Sequence, residues 1–96
     1  MEINLTVILK TNTDNLATLR SKIIDLVHQS TQEKACLQYE LHQSKEDETL
    51  FVLHETWENQ EGLELHNNKE YLRDFFESTK LLLEEPIKVY RTDRIA

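Results

Sequence analysis

Apolar and polar side chains alternate from the start of the chain. Ile3, Leu5, Val7 and Leu9 fall on one side of an extended segment, with Asn4, Thr6 and Lys10 on the other, which predicts a strand over residues 3–11. Thr11-Asn12-Thr13-Asp14-Asn15 has turn chemistry, and Thr13 or Asp14 is the expected cap of the element behind it. The period then changes. Leu16, Leu19, Ile23, Leu26 and Val27 recur three and four apart, the spacing of an amphipathic helix with Arg20, Lys22 and Asp25 on its wet face.

Alternation returns over residues 35–43, where Leu37, Tyr39 and Leu41 share one face of a second strand and Cys36, Gln38 and Glu40 the other. Ser44-Lys45-Glu46-Asp47-Glu48 is a polar connection. Residues 49–57 make a third strand, and its consecutive apolar positions 50–53 predict burial on both faces. Gln60 to His66 reads as a short helix, and Asn67-Asn68-Lys69 as a break. Tyr71, Leu72, Phe75, Phe76, Thr79 and Leu82 or Leu83 then return at helical spacing until Pro86, the expected stop. Ile87 to Arg91 is a short fourth strand.

The order β-α-β-β-α-β predicts a ferredoxin-like α+β fold, one antiparallel sheet with two helical segments on one face, in a single domain spanning residues 1–96. The other face of the sheet then needs a cover. In so short a chain the expected cover is the sheet of a second copy, which makes the protein a homodimer.

Composition narrows the class. The 96 residues carry a formal net charge of −7, which argues against nucleic acid and anionic membranes as partners. Cys36 is the single cysteine, so no internal disulfide and no thiolate cluster is expected, and a lone thiol suits a cytoplasmic protein. No apolar run approaches the ~20 residues of a membrane span, and no leader pattern opens the chain. The four histidines lack ligand spacing, so no metal site is expected.

Three segments carry a resemblance. Glu33-Lys34-Ala35-Cys36-Leu37-Gln38-Tyr39-Glu40-Leu41 resembles the E-x-G-C-L-x-Y-E-L segment of the antibiotic biosynthesis monooxygenase domain. Glu55-Thr56-Trp57-Glu58, with Leu63 and His66, resembles that family's E-x-W-x(5)-L-x(2)-H, and Tyr71 to Phe75 continues its aromatic helix. The resemblance implies a dimeric α+β barrel of two sheets packed face to face. It also implies an activity among those of the family: cofactor-free quinol and anthrone oxygenation, haem degradation, or processing of autoinducer-2 phosphate. The chain departs from the pattern in two places. Ala35 replaces the family glycine, which argues against a required positive φ there, and Glu70 stands where many members have a further histidine. No histidine lies near the Phe75–Phe76 level that serves the haem-degrading branch, so haem is not expected.

His66 is the candidate catalytic residue, since an imidazole can take a phenolic or enolic proton or hold the resulting anion. The plainer reading is a helix-terminal histidine bonded to a backbone carbonyl. Trp57, Tyr71 and Phe75 are candidate walls for a flat substrate, with core packing the plainer reading of each. Glu55 stands on an otherwise apolar strand and needs a partner. It would orient His66 or a substrate hydroxyl, or form a structural ion pair with a helix Arg or Lys, which is the favoured reading. Asn4 would donate to a substrate oxygen or serve only as a polar strand residue.

The expected function is cofactor-independent monooxygenation of a small electron-rich quinol or enol, whose anion reduces O2 directly. Two alternatives stand beside it. One is isomerase-type processing of a small, possibly phosphorylated, sugar-like ligand, marked by a Lys or Arg in the pocket. The other is a non-catalytic dimeric ligand-binding module, marked by an apolar, closed pocket with His66 tied to the backbone.

Overall fold

The computed structural model describes residues 1–96. Its elements are β1 (Ile3–Lys10), α1 (Leu16–Ser30), β2 (Cys36–Gln43), β3 (Leu50–Trp57), α2 (Gln60–Asn67), α3 (Glu70–Thr79), a 3-10 turn at Lys80–Leu82, and β4 (Lys88–Thr92). The strands form one sheet in the order β2-β3-β1-β4, with every neighbouring pair antiparallel. This is the ferredoxin-like arrangement, with the second helical region divided into α2 and α3.

Alternation sorts the strands as their patterns require. Val7 and Leu9 of β1, Tyr39 of β2, and Phe51, Leu53 and Trp57 of β3 are buried beneath Leu19, Ile23 and Leu26 of α1 and Leu72 and Phe75 of α3. On the face away from the helices the pairing brings Asn4 beside Thr56, Thr6 beside His54, and Ile8 beside Val52. That face is mixed rather than apolar. Ile8 and Val52 form its apolar centre, with Leu50 and Tyr90 beside them, and the single Thr56 hydroxyl hydrogen is shared between Asn4 Oδ1 at 3.0 Å and Gln38 Oε1 at 2.9 Å. The burial expected on both faces of residues 50–53 is therefore met by Phe51 and Leu53 alone; Leu50 and Val52 are half-buried.

Three local features differ from the pattern. Asn12, rather than Thr13 or Asp14, shapes the start of α1: its side chain accepts from Asn15 N–H at 2.9 Å, making Asn15 the half-helical residue. A β-bulge in β2 sets Cys36 opposite Trp57 and Gln38 opposite Thr56. The extra residue, Leu37, turns to solvent, and Cys36 joins Tyr39 on the helix side instead of Gln38 on the other. Finally, α3 ends at Thr79, well before Pro86. Thr79 Oγ1 donates back to Phe75 O at 2.8 Å, and the chain tightens into the 3-10 turn. It is then held to the end of β1 by Glu84 N–H donating to Lys10 O at 2.9 Å.

No helix is long and apolar enough to cross a membrane.

Candidate functional site

Four elements converge under α2. Its start is fixed by Asn59, whose extended backbone lets the side chain accept from Gly62 N–H at 2.8 Å. Leu63 and His66, three apart, therefore both point inward, and His66 is only 2 % exposed. The turn after α1 supplies Glu33, whose N–H donates to Ser30 O and whose C=O accepts from Cys36 N–H, each at 3.0 Å. β3 supplies Glu55 and Trp57 on one face, and the first turn of α3 supplies Tyr71.

The His66 ring is held on several sides. Its Nδ1 lies 2.6 Å from Glu33 Oε2, and the same oxygen accepts the Tyr71 hydroxyl hydrogen. The Trp57 indole covers the ring, with centroids 4.3 Å apart and planes at 33°, while Tyr39 meets it edge-on at 5.7 Å. A carboxylate can only accept, so Nδ1 carries a hydrogen, and in the neutral ring Nε2 would be the nitrogen left to accept a proton.

His66 also forms part of the wall of a cavity of ≈ 90 Å³ between the sheet and α3. The lining is mostly apolar, including Leu5, Val7, Leu53, Leu72 and Phe75; Tyr39, Glu55 and Asn67 are the other polar members. Phe76, Ile87 and Val89 form the side shared with a surface groove between the end of α3 and β4. Phe76 is 44 % and Val89 57 % exposed, so this is the cavity's mouth.

Burial governs the titrating groups around it. It pushes the Glu55 carboxyl up from its ordinary value, opposed by the Trp57 N–H, which donates to Glu55 Oε1 at 2.9 Å, and by His66. Tyr39 is raised by burial and by the charge of Glu55; Tyr71 is raised by burial and by Glu33. Both therefore remain phenols and donors. Cys36 is pushed up to about 11 by burial and the charges of Glu33 and Glu55, so it stays a thiol with little nucleophilic character.

The structure brings His66, Trp57, Tyr71, Glu55 and Phe75 together. Of these only His66, Glu55 and Phe75 line the cavity. Trp57 is fully buried behind the imidazole, and Tyr71 touches His66 and Glu33 from the outer side. Asn4 lies on the opposite face of the sheet, hydrogen-bonded to Thr56 and away from this cluster. Glu55 pairs with an indole rather than with a helix Arg or Lys, and Glu33, not Glu55, holds Nδ1 of His66. Glu33 is the residue that the strand and helix periods pass over, because it stands in a turn. Its one signal is its place at the head of the Glu33–Leu41 segment.

Comparison with known proteins agrees over most of the chain. A family model described as antibiotic biosynthesis monooxygenase matches residues 4–78. Over 73 residues, 76 % of this chain and 77 % of the other, the sequence is 32 % identical to "Putative monooxygenase YcnE" of Bacillus subtilis strain 168. The fold superposes with a TM-score of 0.91 on the crystal structure of a Pseudomonas aeruginosa protein, 30 % identical, over 99 % of this chain and 95 % of that one. A Nitrosomonas europaea structure titled "Putative antibiotic biosynthesis monooxygenase" shares the fold at a TM-score of 0.92 and 19 % identity, over 98 % and 90 % of the two chains.

Proposed function

Because the chain belongs to the antibiotic biosynthesis monooxygenase family, we propose that it oxygenates a small electron-rich phenol, hydroquinone or enol with O2, using His66 as the base. The observation that carries this reading is a buried imidazole with Nδ1 bound to a carboxylate and its ring set in the wall of an apolar cavity. A neutral substrate enters such a cavity readily; its anion, once formed there, is poorly solvated and strongly reducing.

The step balances without a further reductant. Nε2 takes the hydroxyl proton, and the substrate anion passes one electron to O2. The radical pair combines into a carbon-bound peroxide, which regains the proton. Loss of water, with the carbon's remaining hydrogen, leaves a carbonyl. One oxygen atom stays in the product and one leaves as water. Phe75 packs against the ring of the substrate, and the Glu55 carboxyl, pushed up by burial, is the polar group that faces it beside His66. Trp57 and Tyr71 hold His66 rather than the substrate.

Cavity size limits the substrate. Benzene occupies a cavity of about 150 Å³, more than the ≈ 90 Å³ present. A single ring therefore enters with outward movement of Phe76 and Val89 at the mouth. No Lys or Arg lines the cavity, which leaves a phosphorylated ligand without a counter-charge. The cavity is apolar, as a non-catalytic module would have it, but His66 is tied to a side chain rather than to a backbone carbonyl, which favours its reading as a base.

We further propose that the open sheet face pairs with that of a second copy. Its half-buried centre at Ile8 and Val52 and its network of Asn4, Thr56 and Gln38 support this.

The test is O2 uptake with a panel of monocyclic hydroquinones and enols. His66→Ala is expected to lower turnover by about 10²–10⁴-fold, the usual worth of a positioned base. Undiminished turnover by the variant would remove His66 from that role.

A further inference from the structure

His66 is 2 % exposed, so its ring meets solvent directly on neither side. The lining of the cavity is mostly apolar and its mouth is formed by Phe76, Ile87 and Val89. On the other side of His66 the surroundings change sharply. Glu33 and Tyr71 line a polar surface cleft of ≈ 730 Å³, together with Lys34, Lys69, Glu58 and Glu61. His66 lines the cavity but not the cleft, and Glu33 lines the cleft but not the cavity. The 2.6 Å contact between them crosses the wall that separates the two spaces.

We propose that Glu33 is a proton relay that connects His66 to solvent through this cleft, with Tyr71 holding the accepting oxygen in place. This deepens the reading of His66 as the base and rests on it. As Nε2 takes the substrate proton, Nδ1 passes its own to Glu33 Oε2, where it exchanges with water in the cleft. The ring then carries its single proton on Nε2, in position for the peroxide, and Nδ1 is recharged through Glu33 when that proton has been given up. No net proton is gained or lost over the cycle.

Every element packed on His66 fits this direction of flow. Tyr39 of β2 and Tyr71 of α3 are held as phenols, and Cys36 beside the bulge as a thiol. Glu55 of β3 is pushed toward its protonated form on the cavity side. Glu33 is the one carboxylate bonded to the imidazole, and its side chain is 11 % exposed against 3 % for that of His66. Both the hydroxyl of Tyr71 and Nδ1 of His66 converge on Oε2, while Oε1 takes part in neither contact.

The relay is testable without a substrate. In the free protein labelled with ¹⁵N-histidine, the exchange rate of the His66 Nδ1 proton with water is measured by NMR. Glu33→Gln retains an acceptor for Nδ1–H but cannot take the proton, and exchange is expected to slow tenfold or more. Tyr71→Phe keeps the carboxylate and is expected to stay within threefold of the parent. A purely structural Glu33 gives the opposite sign, since loosening the site speeds exchange. Exchange in Glu33→Gln that equals or exceeds the parent rate overturns the relay. If Glu33→Gln does not fold, Glu33→Asp draws the charge back by one methylene; slowing of threefold or more is expected, and an unchanged rate overturns the proposal. His66→Ala with undiminished turnover would instead remove the base, an outcome this exchange measurement leaves untouched.

Discussion

Glu55 shows how much one residue's surroundings decide. It is 6 % exposed on a strand whose inward neighbours are Leu53 and Trp57, and a single indole N–H supports its Oε1. Its pKa is raised on folding, so the folded state binds this proton more tightly than the unfolded chain. The resulting stability is complete below the unfolded value of about 4.3 and is lost as pH rises through the folded value. Glu55→Gln keeps an acceptor for the indole and removes the titration. Urea unfolding of both proteins from about pH 4 upward is expected to show the parent losing ground to the variant, by at most about 1.4 kcal/mol per pH unit. A difference independent of pH would mean that folding does not raise the Glu55 pKa. The sequence made Glu55 visible as a carboxyl on an apolar strand but pointed to the wrong partner. Strand alternation places Glu55 and Trp57 side by side on one face, whereas only the folded chain shows that Glu33 reaches His66 first.

At the level of elements, α2 is set by how closely it lies on the turn after α1. A methyl built on Gly62 would overlap Cβ of Ala35. Ala35 stands where the related segment has glycine, and no residue in the chain has positive φ. The position therefore calls for small size and not for glycine's backbone freedom, and Gly62 gives way where Ala35 intrudes. Gly62→Ala is expected to cost about 1–3 kcal/mol by overpacking, and Ala35→Gly in the same chain is expected to recover most of it. Thermal unfolding of the single and double variants checks this; additive losses would show that the two positions do not share the space. The elements themselves were legible because their patterns are plain: a period of two for β1, an unbroken apolar run for β3, and three-and-four for α1 and α3. The bulge at Leu37 was not, since an inserted residue leaves no trace in a pattern of alternating Leu and Tyr. The end of α3 was also hidden, because it depends on the Thr79 back-bond and on the tie between Glu84 and β1.

The molecule as a whole is a slab of 39 × 34 × 20 Å, one helical layer on one sheet. The far face of that sheet is more polar than the run of apolar residues at 50–53 suggests, because Phe51 and Leu53 turn inward and leave Val52 with Ile8 as its apolar centre. The proposed pairing of two such faces thus relies on hydrogen-bonding groups such as Asn4, Gln38 and Thr56 as much as on burial. Sedimentation is expected to give twice the 11.4 kDa of one chain, and Val52→Glu to return it to a single chain at micromolar concentration. A parent protein that sediments as one chain would remove the barrel. The cavity, in contrast, lies wholly within one chain, between its sheet and α3, so the chemistry proposed for it does not require the pairing.

That chemistry is most directly tested by following the oxygen atoms. The hydroquinone or enol of the panel that is consumed fastest is incubated under ¹⁸O2, and its product is weighed by mass spectrometry. One ¹⁸O atom per product molecule is expected from the parent protein, with the yield from His66→Ala close to that of buffer alone. Product that carries no ¹⁸O, or equal labelling by His66→Ala, would contradict the assignment of this buried imidazole as the base of an oxygenase.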